Sequence, residues 1–186
     1  MAVAKVRGVG ADPLTEPESQ ALARSSHVVV RQSVSEADRA AQLDLRYRVL
    51  REPLGMTREQ AVFPRDDDAD TIHLLALLAE VSDTGSEEAV AGTVVGTATM
   101  ISHGPDVAQL RGMATDSAWA GNGVGRAVLE AAHKLAGSRS LWCDARMSAH
   151  DFYARFGWVA EGEIFEIPQV GPHTVMRFRG SPSSDR

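Results

Sequence analysis

Apolar positions change period several times along this chain, and each change predicts an element. Val28-Val29-Val30-Arg31 is β-branched and flanked by polar residues, which predicts a first strand. From Ser33 to Arg51 the period lengthens, and Ala37, Ala41, Leu45 and Val49 share one face of a predicted helix. Ser35 is placed to cap that helix with Asp38 in the capping-box neighbourhood, and Pro53 and Gly55 end it. Thr71 to Val81 is apolar enough for a buried strand, Asp83-Thr84-Gly85-Ser86 is a turn, and Ala89 to Ser102 is the return strand of a hairpin. His103-Gly104-Pro105-Asp106 then leads into a strand over Val107 to Thr115. Val124, Val128, Ala131 and Leu135 form a helical stripe that stops near Gly137, and Leu141 to Asp144 is a short strand. Because a helix separates those two strands, a right-handed parallel crossover is expected. Ser148 caps a short helix through Phe156 that Gly157 stops, and Trp158 to Ile167 pairs antiparallel with His173 to Phe178.

Composition narrows the picture. A chain of 186 residues supports one well-cored domain, expected over 27–179, with a flexible N-terminal segment over 1–26 and a loose polar end over 180–186. No apolar run approaches the roughly 20 residues that span a membrane, and Met1 to Ser26 lacks the apolar core of a signal peptide, so no membrane partner is expected. Cys143 is the only cysteine, which excludes an internal disulfide and a cysteine-rich zinc site and suits a reducing cytoplasm. A formal net charge of −6 without a long basic block argues against nucleic acid. Asp66-Asp67-Asp68 and Asp70 lack the glycine and terminal glutamate of a calcium loop, so they read as a solvated acidic turn and no metal is expected.

The densest chemical signal is Ala120-Gly121-Asn122-Gly123-Val124-Gly125-Arg126, three alternating glycines between a predicted strand and a predicted helix. Without Cβ atoms, successive N–H groups can converge on an anion, and the helix start adds partial positive charge. There is no Gly-Lys-Ser/Thr ending, and Arg126 stands where a dinucleotide fingerprint would place its third glycine, so neither common nucleotide loop fits. Taken alone, the turn could equally be a connection without a ligand.

A second motif changes that balance. Strand, glycine turn, helix and strand, followed by Phe152-Tyr153-Ala154-Arg155-Phe156-Gly157-Trp158, resemble the GNAT superfamily of acyl-CoA-dependent N-acyltransferases, most strongly from Gln109 to Trp158. The family's Gln/Arg-x-x-Gly-x-Gly/Ala signature is matched at Gly123 and Gly125, with Ala120 in place of the first polar residue. Phe152-Tyr153 with Gly157 is similar to its Phe-Tyr-x-x-x-Gly element. Softer resemblances run through Leu45 to Arg51, His73 to Ala76 and Gly171-Pro172-His173.

The resemblance implies a mixed, mostly antiparallel α/β sheet with a central splayed parallel strand pair and flanking helices. It also implies acetyl-CoA as acetyl donor and a primary amine, small molecule or peptide, as acceptor, and it allows a homodimer. Met113, Ala114 and Thr115 would offer main-chain groups to the pantetheine arm, while Ala120, Gly121, Asn122, Gly123, Val124, Gly125 and Arg126 would wrap the pyrophosphate. Tyr153 would protonate the departing thiolate, its phenol remaining protonated at neutral pH; packing is its alternative role. Glu80, Glu163, His73 and His173 stand as candidates for the base, and Cys143, within an apolar strand, is expected to pack rather than react. Arg46, Arg48 and Arg51 cannot all face one way, so solvation or ion pairing is expected for most, with one available to line the acceptor cleft. The same fold holding acyl-CoA without turnover, as a sensor, is the competing reading.

Overall fold

The computed structural model describes residues 27–79 and 92–179. The expected arm over 1–26, the turn at Asp83 to Ser86, Glu80 and the end over 180–186 lie outside the described residues. The strands are β1 (His27–Gln32), β2 (Ile72–Ala79), β3 (Val94–Ser102), β4 (Val107–Thr115), β5 (Ser140–Arg146), β6 (Val159–Ile167) and β7 (Gly171–Phe178). They form one seven-stranded sheet in the order β1-β2-β3-β4-β5-β7-β6. Every neighbouring pair is antiparallel except β4 and β5, which run parallel. The helices are α1 (Glu36–Leu50), α2 (Val124–Ala136), which crosses between β4 and β5, and α3 (His150–Ala154). This is the predicted mixed α/β architecture.

The central strands carry helices on both faces, which explains why β2 reads Ile-His-Leu-Leu-Ala-Leu-Leu-Ala without a polar alternation. Successive residues of β3 point to opposite sides. A Cβ at Gly96 would come within 2.6 Å of Val124 and 3.2 Å of Val128, so this glycine lets α2 approach the sheet closely. Thr99 faces the other way, towards Gln42 and Arg46 of α1.

The buried faces of both long helices share Leu45, Val124 and Val128 with the expected stripes and are shifted to one side of them. In α1 the buried residues are Gln42, Leu45 and Arg46, while Ala37 is exposed. The helix start is as expected: the Ser35 hydroxyl accepts from the Asp38 N–H at 3.1 Å, and the Asp38 carboxylate accepts from the Val34 N–H at 2.9 Å. In α2 the buried row is Val124, Val128, Leu129, Ala132 and Ala136, and Ala131 and Leu135 are half-buried. Ser148 caps nothing: it lies in a 3-10 turn, Met147–Ala149, that leads directly into α3.

The inward polar face of α1 is filled by a buried hydrogen-bond network. Arg46 donates to Asp66 Oδ2 at 2.5 Å, to the Ala61 carbonyl at 2.9 Å and to Thr99 Oγ1 at 2.5 Å. His73 Nε2 donates to the Asp66 carbonyl at 2.8 Å, which leaves Nδ1 to accept from Gln42 or Thr99. The expectation of a solvated turn is therefore overturned at Asp66, while Arg46 takes the ion-paired alternative; both side chains are fully buried. Asp67, Asp68 and Asp70 do remain exposed. A buried ion pair is costly unless hydrogen bonds accompany it, and a pattern of charges along a chain does not reveal those partners.

Candidate active site

The parallel pairing of β4 and β5 covers only Val107 to Gln109 against Ser140 to Trp142. Beyond it, Leu110–Thr115 and Cys143–Arg146 diverge, leaving two strand edges facing across a gap. A register shift in β4 accompanies the opening: Thr97 pairs with Ala114 and Thr99 with Arg111, so Gly112 and Met113 together oppose Ala98. This is a β-bulge, and Gly112 has the positive φ of +55° that bulges favour in glycine. A Cβ there would come within 2.7 Å of the Arg46 guanidinium and 2.9 Å of the Phe63 ring. The buried network thus supports the bent part of β4 from below.

Two cavities occupy the gap. The larger, about 220 Å³, opens on the α1 side between the edges of β4 and β5, and its rim includes Arg51, Phe63 and His173. The smaller, about 180 Å³, is bounded by Met113, Ala114, Thr115, Ala149, Phe152 and Tyr153. Met113, Ala149 and Tyr153 belong to both walls. The buried Tyr153 hydroxyl donates to the Met113 sulfur at 3.6 Å, a weak acceptor, and burial beside Cys143 raises its pKa well above the usual phenol value. Phe152 meets Tyr153 edge to face, ring centroids 5.3 Å apart.

The glycine turn lies against two residues that line the smaller cavity, Thr115 and Phe152. A Cβ on Gly125 would stand 3.4 Å from Thr115 Oγ1 and 3.5 Å from the Phe152 ring, so the two sequence motifs meet in space. Gly121 and Gly123 have φ of +78° and +81°, a conformation that disfavours any residue with a Cβ. Gly123 caps α2 without a side chain, and no acidic residue occupies the helix's first turn. The Ala120 and Asn122 amides donate within the turn, to Ser117 O and Trp119 O, both at 3.3 Å. Those two donors are thereby engaged, and the first-turn amides of α2 are the ones directed outward. The Val124 side chain is core, and Arg126 is exposed and paired with Glu130 at 2.8 Å.

The four base candidates separate clearly. His73 is locked in the α1 network, Glu163 is exposed on β6, and Glu80 lies outside the described residues. His173 alone borders the larger cavity, opposite Arg146 in the β5–β7 register. Its Nδ1 donates to the Gly171 carbonyl at 2.7 Å, which leaves Nε2 as the acceptor nitrogen. Cys143 is buried, and loss of hydration pushes its thiol up to about 12, so it is not a thiolate at neutral pH. Of Arg46, Arg48 and Arg51, one of which is expected to line a cleft, Arg51 borders the larger cavity. Phe63, Arg111 and Arg146 also line it, and no periodicity or motif in the sequence brings these residues together.

Among the described residues no group of His, Cys, Asp or Glu side chains is arranged to hold a metal. Among them, too, no helix is long and apolar enough to cross a membrane.

Comparison with known proteins agrees with this geometry. Residues 82–160 match the family model described as an acetyltransferase (GNAT) domain. An uncharacterized N-acetyltransferase of Bacillus subtilis, YitI, is 42% identical over 71 residues, which is 37% of this chain and 48% of that protein, so the match spans about half of the relative's length. A provisionally named N-acetyltransferase from Lactobacillus plantarum superposes with a TM-score of 0.65 at 22% identity, covering 81% of this chain and 96% of the other. An aminoglycoside 6'-N-acetyltransferase crystallised with coenzyme A gives 0.62 at 14% identity, covering 84% and 99%. The Escherichia coli ribosomal-protein-S18-alanine N-acetyltransferase gives 0.62 at 16%, covering 86% and 99%. At these identities the superpositions speak for the fold, while the matched segment contains the bulged strand, the glycine turn and the tyrosine helix. With the sheet order and the opened parallel pair, the superpositions show a fold like that of these acetyltransferases, and residues 82–160 are similar to the GNAT domain.

Proposed function

We propose that the protein transfers an acetyl group from acetyl-CoA to a primary amine by direct attack, both substrates being bound together. The observation that carries this reading is the pair of cavities on opposite sides of one wall, sharing Met113, Ala149 and Tyr153. A donor arm in the smaller and an amine in the larger would meet at Tyr153, which satisfies the proximity that acyl transfer requires. Acetyl-CoA supplies an activated thioester. The protein supplies the rest: main-chain groups of Met113, Ala114 and Thr115 along the edge of β4 that β5 leaves unpaired, and the outward first-turn amides of α2 at the glycine turn, Val124 to Arg126, for the pyrophosphate.

Tyr153 is the proton donor in this scheme. Its O–H now rests on a thioether sulfur, so redirecting it onto a departing thiolate sacrifices little. His173 Nε2 accepts the proton from the attacking amine, directly or through water. Cys143 takes no covalent part, because a buried neutral thiol is a poor nucleophile.

The test is release of free thiol from acetyl-CoA by purified full-length protein across a panel of primary amines, with mass detection of the acetylated product. Turnover giving intersecting reciprocal plots, retained in Cys143→Ala, supports direct transfer. Acetyl-CoA binding without thiol release for any amine would instead support a sensor. Acetyl mass on the parent enzyme before amine addition, lost in Cys143→Ala, would replace the scheme with an acyl-enzyme.

A further inference from the structure

The larger cavity carries a concentration of positive charge that acetyl transfer as such does not require. Arg51 and Arg146 converge on one oxygen, the Leu50 carbonyl, at 3.4 and 3.0 Å. Arg51 also donates to the Gln60 carbonyl at 3.0 Å, and Arg111 reaches the Pro64 carbonyl at 3.5 Å. The Arg51 and Arg111 guanidiniums lie 5.0 and 4.8 Å from the centre of the Phe63 ring, on which the buried Arg46 also packs at 4.4 Å. Among the described residues, none of Arg51, Arg111 and Arg146 forms an ion pair with a carboxylate.

Three half-buried guanidiniums without counterions, in a chain of net charge −6, would be self-repelling unless something anionic enters among them. The Arg51 guanidinium already shows the cost, its pKa lowered by burial and by Arg146, Arg46 and Arg111. The Arg146 guanidinium is lowered by burial. Asp144 is the acidic group on the same rim, exposed and two residues before Arg146 on β5, so the two share a face about 7 Å apart. The cavity therefore offers a negative position for an ammonium group and, a short step away, a set of planar forks whose geometry matches carboxylate oxygens. Its volume of about 220 Å³ suits a molecule of amino-acid size.

Building on the acetyl-transfer reading, we propose that the acceptor is a small amino acid-like molecule, a primary amine bearing its own carboxylate. Arg51 and Arg146 hold that carboxylate, Arg111 adds to the field, and Asp144 guides the ammonium group. The amine enters with its proton beside Asp144, loses it to His173 or to solvent, and then attacks. Phe63 serves as the platform that keeps Arg51 and Arg111 from folding back into solvent.

The test compares matched acceptors that differ only in the carboxylate: lysine with cadaverine, phenylalanine with phenethylamine, leucine with isoamylamine. The expected result is a kcat/KM at least tenfold higher for one or more amino acids than for the decarboxylated partner, falling as salt is raised. Arg51→Gln and Arg146→Gln are expected to reduce that ratio at least fivefold, by raising KM for the amino acid more than they lower kcat. Equal or faster turnover of the decarboxylated amines overturns the inference while leaving acetyl transfer intact. If no acceptor is acetylated, calorimetric titration of the same amino acids into the protein saturated with coenzyme A decides separately. Binding weakened in Arg51→Gln sustains the anion site, and absence of binding removes it. Acetyl-CoA titration of both variants monitors the donor side independently.

Discussion

Arg46 and Arg51 leave the same end of one helix and pack on the same phenylalanine ring, yet their electrostatic circumstances are opposite. Arg46 is fully buried against the carboxylate of Asp66 and bonds Thr99 and the Ala61 carbonyl. Arg51 is half-buried, bonds only carbonyls, and faces Arg146 rather than a carboxylate. Pairing makes the first a structural post under the bulge of β4. The lack of pairing makes the second an unfinished site, because an unneutralised guanidinium in a cleft gains more from a ligand than from the fold. Surface pairs such as Arg48 with Asp44, each side chain more than two-fifths exposed, belong to neither class and contribute little.

The comparison is broken most forcefully at Arg46. Arg46→Met should destabilise the protein by about 3–5 kcal/mol, since it strands the buried Asp66 charge. Urea unfolding is the measurement, and a change below about 1 kcal/mol would mean that the network does not hold the bulge. On the catalytic side, Tyr153→Phe should lower kcat on the order of a hundredfold while leaving acetyl-CoA affinity close to the parent value, because the packing ring is retained. Parent-like turnover in a folded variant would assign Tyr153 to packing alone.

Gly125→Val should weaken acetyl-CoA binding about tenfold, or about 1.4 kcal/mol, by pushing into Thr115 and Phe152 where the two motifs meet. Calorimetry on the folded variant reads this directly. Arg51→Gln sharpens the contrast with Arg46: its unfolding free energy should stay within about 0.5 kcal/mol of the parent, since the substitution removes like-charge repulsion along with two carbonyl hydrogen bonds. A loss comparable to that of Arg46→Met would erase the distinction between the two arginines.

The smallest effect is on pH. Burial lowers the pKa of both His73 and His133, the second accepting from Trp158 Nε1 at 2.8 Å. The unfolded chain therefore takes up protons near pH 6.5 that the folded protein refuses, and stability is complete above about that pH. The thermal midpoint should decline as pH falls through 6.5 towards the lower folded values, and His133→Gln should reduce the slope. An unchanged midpoint over that interval would contradict the buried, neutral state of both rings.

Legibility in the sequence followed locality. The limits of β4, Val107 and Thr115, were readable because an apolar run ends at a glycine turn, and Gly123 could be singled out because its φ of +81° is a local requirement. The two motifs around Gly125 and Tyr153 were readable for the same reason. The helix faces were less so: Ala37 and Ala131 fit an apolar stripe but do not lie on the buried rows, since periodicity marks a stripe and not which of its flanks the sheet covers.

What the sequence determined by itself is the order of elements, the parallel crossover and the glycine turn, all consequences of backbone preferences over a few residues. Only the tertiary structure decided which charges are architecture and which are site. Asp66 lies twenty residues from Arg46 and meets it inside the protein, while Arg51, Arg111 and Arg146 gather at one cavity from a helix end and two strands. The physical reason is that hydration of a charge depends on everything packed around it, and those neighbours come from parts of the chain that local sequence does not connect.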